Sequence, residues 1–265
     1  MNLCTIASGS SGNSIYVGLN NQHFLVDAGI SGKRIEHCLQ EFNIRNLSGI
    51  FITHEHRDHI TGAGVMARRF KVEIYATPLT WRYFLRHRAI GEIDERQVKF
   101  VEPGTPVVVG GVKVSAFDIS HDAAQPVGYT FESLAAGAEK PEKIAIATDL
   151  GHVTDLVRQH LQGAQIIVLE SNHDPEMLAK GPYHRKLKER VASHRGHLSN
   201  AEAGMLLAEV DGIEYVILAH LSDENNRPML AFDTVKRILD GNGVKIKQLI
   251  VAERNHPGEM LRYGG

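Results

Sequence analysis

At 265 residues, 43% of them hydrophobic, the chain can bury one large core; its 29 basic against 31 acidic residues, net charge −2, give no overall positive field to draw in a polyanion. Any nucleic acid must therefore be held by local groups. Two cysteines, Cys4 and Cys38, exclude a disulfide framework, and with no signal-like N-terminal stretch and no apolar run of membrane-spanning length the expectation is one cytoplasmic domain with no membrane partner.

Taken in chain order, apolar runs at 3–6, 14–18 and 23–26, separated by glycine-containing turns, predict short strands, and 33–41 predicts a helix. The segment Ile50-Phe51-Ile52-Thr53 reads as a strand that empties into His54-Glu-His56-Arg-Asp58-His59. A helix over 64–70, a strand over 73–76, a helix over 78–88 and a strand pair within 107–119, folded about Gly110-Gly111, come next. Residues 133–142, rich in alanine and glycine, predict a loop or hairpin connection. The remainder alternates: strand 143–148, helix 153–160, strand 166–170, helices 183–193 and 201–209, strand 215–219, helix 229–240 and strand 247–251. Such alternation implies helices layered over sheet.

The run from His54 to His59 offers four metal-ligand side chains within six residues. Imidazoles suit zinc and similar divalent ions, and Asp58 adds a harder oxygen ligand. Further candidates each stand just beyond a predicted strand: His121, Asp149 and His220. A first ion can take His54, His56 and His121 and a second Asp58, His59 and His220, with Asp149 shared, leaving room for a bridging water or hydroxide whose pKa the ions lower. The cofactor expectation is thus two divalent ions per chain, zinc or manganese, with iron also compatible with the mixed ligand set.

The order of these motifs, beginning with Asp27 in Leu25-Val-Asp27-Ala-Gly29, resembles the metallo-β-lactamase superfamily over nearly the whole chain. The resemblance implies an α+β fold, a four-layer αββα sandwich with metals at one edge, and makes Asp27 a supporting carboxylate rather than a direct ligand. His121-Asp-Ala-Ala-Gln-Pro-Val-Gly128-Tyr129 is similar to the third motif of the phosphodiesterase branch. Ala7-Ser8-Gly-Ser10-Ser11-Gly-Asn13-Ser14, Gly196-His197-Leu-Ser199-Asn200 and Leu218-Ala-His220-Leu-Ser222-Asp-Glu224-Asn225-Asn226 look most like the YycJ/WalJ group. That group implies a 5′-to-3′ exonuclease on double-stranded DNA. The chain departs from larger relatives in lacking an added nucleic-acid clamping domain or a long arm, and it has no cysteine ligand of the antibiotic-hydrolysing kind.

Under this resemblance Asp58 belongs to the catalytic centre, and His197, oriented by Glu170, donates a proton to the leaving oxygen. Ser8, Ser10, Ser11 and Asn13 can present a phosphate nest, and convergence with Ser199, Asn200, Asn225 and Asn226 would make a terminal-phosphate pocket. His197 and Asn200 equally suit a helix cap. Basic and aromatic groups at Arg68, Arg69, Lys71, Arg82, Arg86 and Arg88, with Trp81, Tyr83 and Phe84, fit either a nucleic-acid track or the two faces of ordinary helices. Two other readings fit the residues: a small-molecule hydrolase of a cyclic phosphodiester, thioester or lactone, and a non-catalytic metal-binding adaptor.

Overall fold

The computed structural model describes residues 1–88, 90–134 and 141–264. Strands β1 (Asn2–Ala7), β2 (Ser14–Leu19) and β3 (Gln22–Val26) form an antiparallel meander, and β4 (Gly49–Phe51), β5 (Ile74–Ala76) and β6 (Val98–Phe100) extend it in parallel. Helices α1 (Gly32–Glu41), α2 (Arg57–Ile60), α3 (Ala63–Phe70) and α4 (Pro78–Phe84) fill the crossovers that parallel pairing demands. A second sheet starts with antiparallel β7 (Val107–Val109), β8 (Val112–Asp118), β9 (Val127–Ser133) and β10 (Lys143–Ala147), and continues in parallel through β11 (Ile166–Glu170), β12 (Tyr215–Ala219) and β13 (Gln248–Val251). Its crossovers carry α5 (Asp155–Leu161), α6 (Pro175–Lys180), α7 (Arg185–Val191), α8 (Asn200–Ala208) and α9 (Pro228–Gly241). Finally β14 (Leu261–Arg262) returns to the first sheet beside β1, so the orders are β14-β1-β2-β3-β4-β5-β6 and β13-β12-β11-β10-β9-β8-β7.

The alternation of side chains along each strand builds the layers. Phe24, Val26 and Phe51 point into an apolar cluster that also takes Tyr129, Phe131, Ile166 and Val168 from the other sheet. Their neighbours Leu25, Ile50 and Ile52 face the opposite way, toward Ile35 and Leu39 of α1 and Met66 and Ala67 of α3. Ile167 and Leu169 likewise face Val157, Leu206 and Val235 on the outer helices of the second sheet. Two buried sheets between two helical layers give the expected αββα sandwich. Phe51 stacks on Tyr75 at 4.5 Å and meets Phe131 edge-on at 5.4 Å; each such fully buried side chain stabilises the sandwich by roughly 1.5–3 kcal/mol.

Some elements differ from expectation. Helix α4 stops at Phe84 rather than Arg88, and β6, β9, β14, α2 and α6 were not predicted. The connection expected at 133–142 begins later, because β9 runs through Ser133, and its centre, 135–140, lies outside the described residues. Strands β3, β4, β10, β11 and β12 all end at the same edge, where loops leaving parallel strands ordinarily gather functional side chains.

Candidate metal centre

Each ligand candidate owes its position to a strand end. Val127 N–H donates to the Thr53 carbonyl at 3.0 Å and Tyr129 Oη donates to the Ile52 carbonyl at 2.7 Å, so the exit of β4 is tied to the facing sheet where the His54–His59 loop begins. Asp27, Asp149 and His220, one or two residues beyond β3, β10 and β12, have φ of 59°, 57° and 55°. That left-handed backbone is uncommon for residues with a Cβ, though Asn, Asp and His adopt it more readily, and here it redirects each chain at the strand end.

Gly29 closes the loop from below. A Cβ on it would lie 1.5 Å from the Asp58 carbonyl oxygen, so only glycine lets the two backbones approach. Gly29 N–H donates to Asn13 O and Asn13 N–H donates to Asp58 O, both at 2.7 Å.

The side chains then converge. His54, His56 and His121 bring ligand atoms within 4.8 Å of one another, as do Asp58, His59 and His220, and as do His54, His59 and Asp149 between them. His54 Nε2 is 3.0 Å from His56 Nδ1, and His59 Nε2 is 3.3 Å from Asp149 Oδ2 and 3.5 Å from Asp58 Oδ2. Asp149 Oδ2 and His220 Nε2 are buried without a hydrogen-bond partner among the described residues. Unpaired buried polar atoms are costly, and two of them facing a nest of imidazoles and carboxylates fit divalent ions.

A supporting set holds these groups in place. Asp27 accepts from Thr53 N–H and Thr53 Oγ1, both at 2.8 Å, and lies 2.7 Å from His59 Nδ1, which leaves His59 Nε2 for the centre. Glu170, wholly buried, sits 2.8 Å from both His220 Nδ1 and His197 Nδ1 and accepts from the N–H groups of Leu150 and Leu198. His121 Nδ1 meets the Gly196 carbonyl at 3.2 Å.

Electrostatics sort the imidazoles. Burial, together with the charges of His59 and His121, holds His54 well below its ordinary pKa. Burial also lowers His121, with Asp149 opposing it. Neutral imidazoles of this kind keep a lone pair for a metal. Burial resists ionisation of Asp149, but His220 and His59 outweigh it and hold the carboxyl below its usual range. For His197, burial is overcome by the Glu170 carboxylate, and the pKa rises to about 9.

The residues expected to bind phosphate are not gathered into one pocket: Ser8 and Asn226 line one cavity, Ser10 and Ser11 another, and Asn13, Ser199, Asn200 and Asn225 are buried. Ser8 is buried, and its hydroxyl accepts from His220 N–H at 2.7 Å. Asn13 accepts from Gly9 N–H and places Nδ2 3.0 Å from His59 Nε2 and 3.4 Å from Asp58 Oδ2, inside the metal centre. Ser199 caps α8 in a reciprocal pair with Glu202. Asn200 and Asn226 are buried and bonded to each other and to Ser171, and Asn225 is buried against Ser222. Ser199, Asn200 and Asn226 spend hydrogen bonds on α8, Ser171, Asn172 and one another, whereas Asn225 Oδ1 is buried without a hydrogen-bond partner among the described residues. Only Ser10 and Ser11 remain exposed. Trp81 and Phe84 belong to the core, with Trp81 Nε1 donating to Lys99 O, whereas Arg82, Tyr83, Arg86 and Arg88 are exposed.

The fold and this ligand set together define a class, and residues 22–221 match the beta-lactamase superfamily domain; the chain belongs to that family. It is 40% identical over 247 residues to "Exodeoxyribonuclease YycJ" of Bacillus anthracis, covering 92% of this chain and 90% of that protein. It is 38% identical over 234 residues to "Exodeoxyribonuclease WalJ" of Streptococcus pneumoniae serotype 2 strain D39, covering 87% and 85%. The crystal structure of Zn(2+)-bound PqqB from Methylobacterium extorquens shares the fold with a TM-score of 0.71 at 15% identity, over 98% of this chain and 100% of that one. Family, fold and ligand set make the chain a metal-dependent hydrolase.

Proposed function

We propose that this hydrolase is a cytoplasmic 5′-to-3′ exonuclease acting on double-stranded DNA, with two divalent ions, zinc or manganese, and iron as a further candidate. The observation that carries the reading is the pair of ligand triads, His54-His56-His121 and Asp58-His59-His220, with Asp149 between them and with Asp149 Oδ2 and His220 Nε2 buried and unpaired among the described residues. The names of the two bacterial relatives supply the substrate class. Ions bound there supply Lewis acidity toward a phosphate oxygen and a nucleophile near neutral pH.

The chain's own groups do the rest. Asp27 fixes the ring of His59, and Glu170 fixes those of His220 and His197. His197 keeps its Nδ1 proton on Glu170, and its Nε2 is the proton donor for the leaving 3′ oxygen. Its side chain is 16% exposed, enough to meet a substrate at the rim.

The test is hydrolysis of end-labelled duplex and single-stranded DNA and RNA, bearing 5′-phosphate or 5′-hydroxyl ends, by protein loaded with zinc or manganese, with Asp149→Ala as control. Stepwise release from the 5′ end of duplex DNA, lost in Asp149→Ala, is the expected result. Inactivity of demonstrably loaded protein on every polymer would overturn it in favour of a small hydrolysable substrate.

A further inference from the structure

Beside the metal centre lies an open cavity of about 470 Å³ that the proposed chemistry does not use, lined by Ser10, Ser11, Ser31, Arg34, Arg57 and Thr61 and by the ligand candidate Asp58. Asp58 is the one acidic side chain on its wall, so the lining carries two guanidinium groups against one carboxylate, and that carboxylate stands among the ligands of the centre. Arg57 has no ion-pair partner among the described residues. Arg34 donates one N–H to the Asn255 carbonyl at 2.9 Å, which holds the side chain while leaving other donors free. The hydroxyls of Ser10 and Ser11 have no partner among the described residues, and Ser31 precedes α1 without capping it through its side chain. Thr61 donates to the Arg57 carbonyl at 2.7 Å, bracing the turn that carries Arg57.

The walls are pre-assembled. Three segments, 8–13, 27–34 and 57–62, are bonded backbone to backbone: Asn13 N–H to Asp58 O, Gly29 N–H to Asn13 O, Ala28 N–H to His59 O and Gly62 N–H to Ala28 O, at 2.7 to 2.8 Å. A cavity built this way can bind without a large ordering cost. Its donors are guanidinium and hydroxyl groups, the combination that recognises phosphate oxygens, and arginine does so bidentately.

We infer that this cavity is a subsite for a nucleotide phosphate adjoining the scissile bond, with Arg34 and Arg57 as its anchors and Ser10 and Ser11 as hydroxyl donors. The inference rests on the nuclease reading of the same site. The phosphate can come from a 5′-terminal monoester or from an internal diester, which offer the same oxygens.

The experiment uses 3′-labelled duplexes bearing either a 5′-phosphate or a 5′-hydroxyl. Binding is followed by anisotropy in the Asp149→Ala background, and cleavage in the otherwise unaltered metal-loaded protein. Arg34→Gln and Arg57→Gln are compared singly and together with Lys33→Gln, which removes an exposed charge from α1 outside the cavity. A terminal occupant predicts that the 5′-phosphate tightens binding about tenfold or more and that the double variant erases this preference, with KM raised more than kcat is lowered. An internal occupant predicts equal losses, about tenfold, on both duplexes, and a salt dependence shallower by about one to two phosphate contacts. Either outcome supports the subsite. Double-variant binding and KM equal to those of Lys33→Gln on both duplexes would overturn it while the unaltered protein still degrades DNA. Failure of the unaltered protein to bind or cleave any duplex would instead remove the nuclease reading and the subsite with it.

Discussion

At the scale of single residues, the centre depends on groups that never touch the reacting atoms as much as on those that do. Glu170 spans two histidines, and the proton-donor role proposed for His197 is the one that depends on the leaving group. An alkoxide leaving from DNA needs a proton, whereas p-nitrophenolate departs without one. His197→Ala is therefore expected to lower kcat on duplex DNA by roughly 10²- to 10⁴-fold and to affect bis(p-nitrophenyl) phosphate far less. Equal losses on both substrates, read from parallel steady-state assays, would assign His197 a positioning role. The metal-ligand candidates were legible in the sequence because a dense His/Asp run and isolated His or Asp residues at strand ends are rare patterns. The surroundings of Ser199, Asn200, Asn225 and Asn226 were not, because Ser and Asn serve equally as caps, buried bridges and ligand contacts, and only packing decides among these. Arg57 stood within the motif itself, yet its direction into a cavity depends on the turn of α2 and on the approach of Gly29 to Asp58.

At the scale of elements, strands were read best where apolar runs ended in a polar residue, as with β12, expected and found at 215–219. Strand β9 escaped because Val127-Gly-Tyr-Thr-Phe-Glu-Ser is buried along nearly its whole length and shows no alternation of polarity. Strands β6 and β14, of three and two residues, are too short to carry a period. Helix α4 ends early because 85–88 tighten into turns in which Arg86 and His87 donate to carbonyls three residues back. Helix α8 gives a direct check on the reassignment of Ser199. Its hydroxyl and Glu202 satisfy each other's backbone N–H groups, so Ser199→Ala is expected to cost about 0.5–2 kcal/mol, visible as a fall in Tm of roughly 2–4 °C per kcal/mol. Duplex affinity should stay as it was, and a fall in affinity with unchanged Tm would return Ser199 to the substrate.

At the scale of the whole molecule, the ligand candidates are divided between the sheets. His54, His56, Asp58 and His59 follow β4 of the first, while His121, Asp149 and His220 follow β8, β10 and β12 of the second. Metal binding is therefore expected to stabilise the docked pair of sheets, by about 2.7 kcal/mol at a free ion concentration 100-fold above Kd. Thermal unfolding of chelator-stripped and reloaded protein measures this; the shift should shrink sharply in Asp149→Ala, and an undiminished shift would place the ions elsewhere. The layered architecture was legible from the alternation of strand and helix. The way the sheets face each other was not, since that depends on contacts such as those of Phe51 with Phe131 across the interior.

The divided centre also makes turnover a report on assembly. A chain cut between the sheets yields two pieces, neither holding a complete ligand triad of the first ion or of the second, and β14 must still cross back to β1. Activity recovered on mixing such pieces would count correctly joined molecules alone, so the enzyme could serve as its own split reporter.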